Sequence, residues 1–235
     1  MIRPLAVFDI DGTLVDSRAS ILRAATDAAR ALGLPDPEYD RVRQIVGLSL
    51  EHALAVLEPD LTPDELARFT AEFRASFGRM FEAGHQEPLY PGAIDHLHRL
   101  KRDGWRLALA TGQNRRGVAR NLARQGWSDL FLSSHCAEDG PGKPDPAMLQ
   151  AAMAACDADP ATTVMIGDTA HDIAMALNAA VHPQGVAWGF HTVEEQIAAG
   201  AVHVASDFDD LHAALDRFAS AAAGPVRVEA FGGAA

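Results

Sequence analysis

Two hydrophobic periodicities alternate along this chain. Leu5-Ala6-Val7-Phe8 is an unbroken apolar run that stops at Asp9. A run this short, closed by a polar turn, predicts a strand buried on both faces, as parallel sheets require. From residue 17 to residue 87 the strand pattern disappears. Ile21, Ala24, Ala25, Ala28 and Leu32 recur at helical spacing, and Gly33 follows as a stop. Pro35 and Pro37 break the chain. A second helix is expected over about Glu38 to Val46, and a third, carried by Leu50, Leu54 and Leu57, ends near Pro59. Thr62, Pro63 and Glu65 form an N-terminal signature: a capping hydroxyl, proline at the first helical position and an acid three residues on. The long helix after it presents Leu66, Phe69, Phe73 and Phe77 as a core-facing stripe.

From Leu89 onward strand and helix patterns take turns. Helices are expected from Tyr90-Pro91-Gly92 to about Asp103, over Arg115–Gln125, Pro146–Ala155 and Thr169–Ala180. Strands are expected over Trp105–Ala110, Leu130–Ser133 and Thr162–Ile166, then near 185 and 202, each followed by a helix. Such alternation predicts an α/β fold with a mainly parallel sheet covered on both faces. Residues 1–16 and 88–219 are therefore expected to form the core, and 17–87 a helical insertion. Residues 220–235, with glycine-containing clusters, read as a loose tail.

Composition narrows the function classes. At 235 residues and 48% hydrophobic, the chain can bury a sizeable core and is not a disordered polymer. Twenty basic against 32 acidic residues give a net charge of −12. That balance argues against sequence-independent nucleic-acid binding, and any anionic substrate needs a local positive field. Cys136 and Cys156 lack metal or disulfide spacing, which fits a reducing cytosol. No signal peptide and no membrane span are evident, so a cytoplasmic location is expected. His96 and His98, two apart on an expected helix, point to different faces and read as surface residues.

The candidate chemistry lies where strands end. Asp9-Ile10-Asp11-Gly12-Thr13 places two carboxylates at the carboxyl edge of the first strand, where open α/β sheets bind ligands. Their repulsion calls for a cation, and magnesium suits a site of few carboxylates and a phosphate. Thr111-Gly112 closes the next strand before a helix, a place where a hydroxyl and free N–H groups bind phosphate, although a capping threonine explains it equally well. Lys143, fixed between Gly142 and Pro144, is a point charge able to neutralise a phosphate oxygen and a carboxylate, although taken alone a solvated loop lysine is the commoner case. Gly167-Asp168-Thr169-Ala170-His171-Asp172 ends a further strand with two acids, either helix caps or partners of Asp9 and Asp11 in an oxygen-rich metal site.

Taken in this order, the motifs resemble the haloacid dehalogenase superfamily. Asp9-x-Asp11-Gly12-Thr13 is similar to its first motif, Thr111 to its second, Lys143 to its third and Gly167-Asp168-x-x-x-Asp172 to its fourth. The insertion resembles the helical cap of the phosphoglycolate phosphatase-like branch, as do Thr111-Gly112, Arg115-Arg116-Gly117 and Gly185-Val186-Ala187-Trp188-Gly189. The resemblance implies a Rossmann-like core and a phosphatase acting on small phosphorylated metabolites. Asp9 would be the nucleophile, forming an aspartyl-phosphate, and Asp11 the acid and then the base. Thr111, Gly112 and Lys143 would hold the phosphoryl group. Asp9, Asp168 and the Asp11 carbonyl would bind Mg2+, with Asp172 supporting or joining them.

Three departures stand out: Ala180 where relatives often have glycine, Pro183 and Gln184 in a strand usually more apolar, and Gln113 where many carry lysine. Arg115 and Arg116 could supply local positive field, or could be a solvated pair. Specificity is expected from the insertion, between Arg43 and Ser49, with Arg43 a candidate substrate ligand. A phosphosugar mutase is the alternative within the enzyme class. A phosphoaccepting receiver-like signalling module is the alternative outside it, although receivers lack the insertion and the fourth motif. A dehalogenase would leave Asp11 idle. The sequence leaves monomer and homodimer both open.

Overall fold

The computed structural model describes residues 4–222. Its centre is a six-stranded parallel sheet in the order β3-β2-β1-β4-β5-β6. The strands are β1 (Leu5–Phe8), β2 (Arg106–Thr111), β3 (Ser133–Cys136), β4 (Thr163–Gly167), β5 (His182–Val186) and β6 (His203–Ala205). β1 lies between β2 and β4, with Phe8 in register with Leu109 on one side and Ile166 on the other. The strand order reverses around β1, so the crevice beyond its carboxyl end is the switch point of the sheet.

The period of two along β1 sorts its side chains to opposite faces. Ala6 and Phe8 join a cluster with Leu97, Leu107, Trp127 and Leu211, beneath α5 (Ala93–Arg102), α6 (Arg115–Gln125) and α10 (Phe208–Ala222). Leu5 and Val7 join Met148, Leu149, Met165 and Met175, beneath α7 (Ala147–Ala155) and α8 (Ala170–Asn178). A short α9 (Val193–Ala198) precedes β6. The insertion forms α1 (Arg18–Ala31), α2 (Tyr39–Ile45), α3 (Leu50–Leu57) and α4 (Pro63–Glu82). These helices bury a separate cluster that includes Ala24, Ala28, Leu54, Phe69 and Phe73. Thr62 and Glu65 form the expected capping box at the start of α4. The insertion leaves and rejoins the core side by side: Asp16 N–H donates to Pro88 O and Tyr90 N–H to Leu14 O, 2.9 and 3.0 Å.

Several expectations need correction. The third strand is Ser133–Cys136, not Leu130–Ser133. Leu130 and Phe131 N–H groups donate to Trp127 O, forming a turn that sends both side chains into the core while the chain is still outside the sheet. His98 is exposed, but His96 is only 4% exposed, against Phe8, Phe208 and His212. Residues 220–222 continue α10, and the rest of the expected tail lies outside the described residues. Ala180 takes φ +56°, so alanine stands in left-handed backbone, at a cost of about 1 kcal/mol. Gln184 is buried yet satisfied, donating to Gly185 O and His203 O.

Candidate active site

The turn after β1 is tightly built. Asp9 N–H donates to Ile166 O at 2.9 Å, extending the sheet by one residue. Ile10 O then accepts from the N–H groups of Thr13, Leu14 and Val15, and Gly12 turns the chain at φ +84°. A Cβ on Gly12 would stand 2.2 Å from Asp168 Oδ2, so this position needs glycine for both its backbone and its neighbour.

Asp9, Thr111, Lys143 and Asp168 converge from the ends of β1 and β2, the loop after β3 and the end of β4, all of them buried. Lys143 Nζ lies 2.9 Å from Asp9 Oδ1 and 2.6 Å from Asp172 Oδ1. Asp168 is pinned on both oxygens: Thr13 Oγ1 donates to Oδ1 and Phe190 N–H to Oδ2, each at 2.8 Å. Asp172 has two tasks. As the third residue of α8 it accepts from Thr169 N–H and Oγ1 on Oδ2, and its Oδ1 holds Lys143. The cap reading of Asp172 is thus correct without displacing it from the site.

The carboxylates of Asp9, Asp168 and Asp172 bring oxygen atoms within 4.8 Å of one another. Burial pushes Asp9 up to about 7, aided by Asp172 and Asp11 and opposed by Lys143. Asp168 is raised well above the usual carboxylate range by burial and by the charges of Asp172 and Asp9. Burial disfavours the Lys143 ammonium, but Asp172 and Asp9 outweigh it and hold the group charged. Fully ionised, three carboxylates and one lysine leave two negative charges uncompensated. Asp9 Oδ2 accepts no hydrogen bond from any described residue. An all-oxygen set with that residual charge and an unsatisfied buried acceptor fits a hard divalent cation.

Asp11 sits apart from this cluster. Its Oδ2 accepts from Gln113 Nε2 at 2.9 Å. Burial and the charge of Glu87, on the return connection from the insertion, raise it to about 6. Sequence reasoning placed Asp11 but missed Gln113 and Glu87, which come from distant parts of the chain. It also missed Phe190; the preceding Gly189 was the available signal, since a Cβ there would stand 2.2 Å from Asp168 Oδ2.

The insertion lies over this edge. A Cβ on Gly112 would come within 2.7 Å of Leu48 O, and one on Gly142 within 3.2 Å of Ser49 Cβ. The stretch expected to govern specificity, Arg43 to Ser49, therefore faces the phosphate-binding candidates directly. Arg43 itself is engaged: its guanidinium donates to Glu195 at 2.8 Å and to Asp40 at 3.0 Å. Gln44 adds a 2.6 Å bond to Glu195, and Gln44 O lies 3.0 Å from His171 Nε2. Arg43 is thus a tie between insertion and core. Arg115 pairs with Asp139 at the surface.

Residues 4–180 match the family of haloacid dehalogenase-like hydrolases. The chain belongs to that family. This hydrolase is 32% identical over 228 residues to the probable phosphatase IndB of Dickeya dadantii (strain 3937), covering 95% of this chain and 98% of that protein. It is 31% identical over 226 residues to phosphoglycolate phosphatase of Psychrobacter arcticus (strain DSM 17307 / VKM B-2377 / 273-4), covering 92% and 96%. The crystal structure of a hydrolase from Pseudomonas syringae superposes with a TM-score of 0.81 at 26% identity, covering 92% of this chain and 99% of that one. The Rossmann-like core with an inserted helical cap is the fold of this hydrolase. No helix among the described residues is long and apolar enough to cross a membrane.

Proposed function

We propose that this hydrolase is a magnesium-dependent phosphatase of small phosphomonoesters, acting through an aspartyl-phosphate. What carries this reading is the buried Lys143 between Asp9 and Asp172, 2.9 and 2.6 Å away, beside Asp168 and beneath the cap. Phosphoryl transfer asks chiefly for positioning and charge neutralisation, and this arrangement supplies both. The phosphatase names of the relatives agree with it.

Asp9, Asp168 and the Asp11 carbonyl would hold the magnesium ion, which would neutralise charge on the phosphoryl oxygens. Thr111 and Lys143 grip the phosphoryl group, and Gly112 lets the cap backbone at Gly47 and Leu48 approach beside it. An Asp9 oxygen attacks phosphorus as the ester P–O bond breaks, and Asp11 gives its proton to the departing oxygen. Water then attacks the same phosphorus, Asp11 takes back a proton, and the acyl-phosphate bond breaks to return Asp9 and inorganic phosphate. Asp172 acts through Lys143, which it holds in place. The cap, pressed on Gly112, favours small esters.

A screen of phosphorylated metabolites, reading released phosphate and isomerised product, tests this. Activity should vanish in excess chelator and return with magnesium. Full activity in chelator refutes the metal assignment, and isomerised product without phosphate release indicates a mutase.

A further inference from the structure

Gln113 occupies a position that neither the strand pattern nor the four motifs account for. Its Nε2 donates to Asp11 Oδ2 at 2.9 Å, and its Oε1 accepts from Asn121 Nδ2 at 3.0 Å. Asn121 projects from α6 and is only 5% exposed. The backbone on either side is fixed as well: Gln113 N–H donates to Thr111 Oγ1 at 3.3 Å, and Gln113 O accepts from Ala137 N–H at 3.1 Å. Gly117 leaves room for the amide, since a Cβ there would stand 2.9 Å from Gln113 Oε1.

An amide has a donor end and an acceptor end of nearly the same shape, so its orientation is decided by its partners. Asn121 offers a donor to one end and Asp11 a carboxylate to the other. Reversing Gln113 would place two N–H groups together on one side and two oxygens on the other. The side chain therefore has one favourable orientation, with its donor toward Asp11. A protonated carboxyl oxygen is the poorer acceptor, so the proton favours the oxygen that does not accept this bond.

We infer that Gln113, oriented by Asn121, is the positioning residue that fixes Asp11 Oδ2 and leaves Oδ1 as the oxygen that delivers and recovers the proton. The inference rests on Asp11 being the leaving-group acid. Lysine at this place would give Asp11 a charge but could not accept from Asn121. Glutamine gives direction without charge, and it transmits the packing of α6 to the acid.

The test is single-turnover phosphorylation of Asp9 by two esters: 4-nitrophenyl phosphate, whose leaving group needs little protonation, and the alkyl phosphate turned over fastest in the metabolite screen. Gln113→Met keeps the length and removes the donor. It should slow the alkyl ester by about 10- to 100-fold and the nitrophenyl ester by less than about 3-fold, within the range of a positioned acid. Asn121→Ala should show the same split at a smaller size, and it provides the reading if Gln113→Met does not fold. The double variant should be no slower than Gln113→Met, because Asn121 acts only through Gln113. Equal slowing of both esters, additive losses, or no loss would overturn the inference. Asp11→Asn, run alongside, separates the two levels. If it too slows both esters equally, the acid role of Asp11 fails. If it shows the split and Gln113→Met does not, only the role of Gln113 fails.

Discussion

His96 makes the core acid-sensitive. It lies on α5 with its ring 6.3 Å from Phe8 and 5.6 Å from His212, and no described residue hydrogen-bonds its Nε2. Burial, with the positive charges of His212 and Arg99, lowers its pKa from 6.5 to about 3. The folded protein therefore keeps His96 neutral through a range in which the unfolded chain protonates it. Between pH 6.5 and 3 the unfolded state binds more protons, so stability rises with pH across that window and falls on acidification. Integrated from pH 7 to pH 4, this one group removes about 3 kcal/mol, a large share of an ordinary domain's stability. His96→Leu keeps an apolar side chain of similar bulk and abolishes the titration. Urea unfolding of both proteins at pH 7, 5 and 4 reads the term, and the same pair made on a His212→Gln background separates it from the coupling to His212. The variant should match the parent within about 1 kcal/mol at pH 7 and exceed it by about 3 kcal/mol at pH 4. A difference that stays flat with pH would show that His96 is not held neutral. Because Phe8 directly precedes Asp9, acid loosening at His96 should also reach the strand end that carries Asp9.

Asp9→Asn should abolish turnover yet raise the melting temperature in chelator, because it removes one of three crowded carboxylates; a less stable variant would contradict the crowding. Added magnesium should raise the melting temperature of the parent far more than that of Asp9→Asn. If Arg43 is a cap tie, Arg43→Ala and Glu195→Ala should alter kcat and KM alike, and the double variant should add nothing; a rise in KM confined to Arg43→Ala would make it a substrate ligand. Ala180→Gly should stabilise by up to about 1 kcal/mol in denaturant titration, since it relieves left-handed alanine, and destabilisation would show that the methyl group packs usefully.

The sheet and its candidate site edge were legible because β1, β2 and β4 run into polar groups that break the strand pattern. Asp9, Thr111 and Asp168 follow apolar runs, and Lys143 sits in a proline-bounded loop that no helix explains. The Thr62 cap was equally clear, being a local exchange of hydrogen bonds. His96 was misjudged although its spacing held the answer: residues two apart on a helix differ by about 200°, so when His98 faces water His96 faces inward. The third strand was misplaced because Leu130 and Phe131 look like strand but are buried by a turn. The tie between Arg43 and Glu195 and the bond from Gln113 to Asp11 join residues more than 100 positions apart, and no local pattern encodes them.

The paired bonds between Leu14–Asp16 and Pro88–Tyr90, with Val15 bridged antiparallel to Leu89, give the insertion a common doorway. Its entry and exit are already joined, so the core bears little loop-closure entropy however long the intervening segment is, and that entropy grows only with the logarithm of length. The helices within carry their own apolar cluster. The doorway therefore works as a graft junction: the segment between residues 17 and 87 can be shortened, lengthened or exchanged for another self-packed unit while the sheet keeps its register. The same two-stranded ribbon resists stretching but yields to bending. A swing of the cap about this doorway is the expected motion, and it would first have to release Arg43 and Gln44 from Glu195.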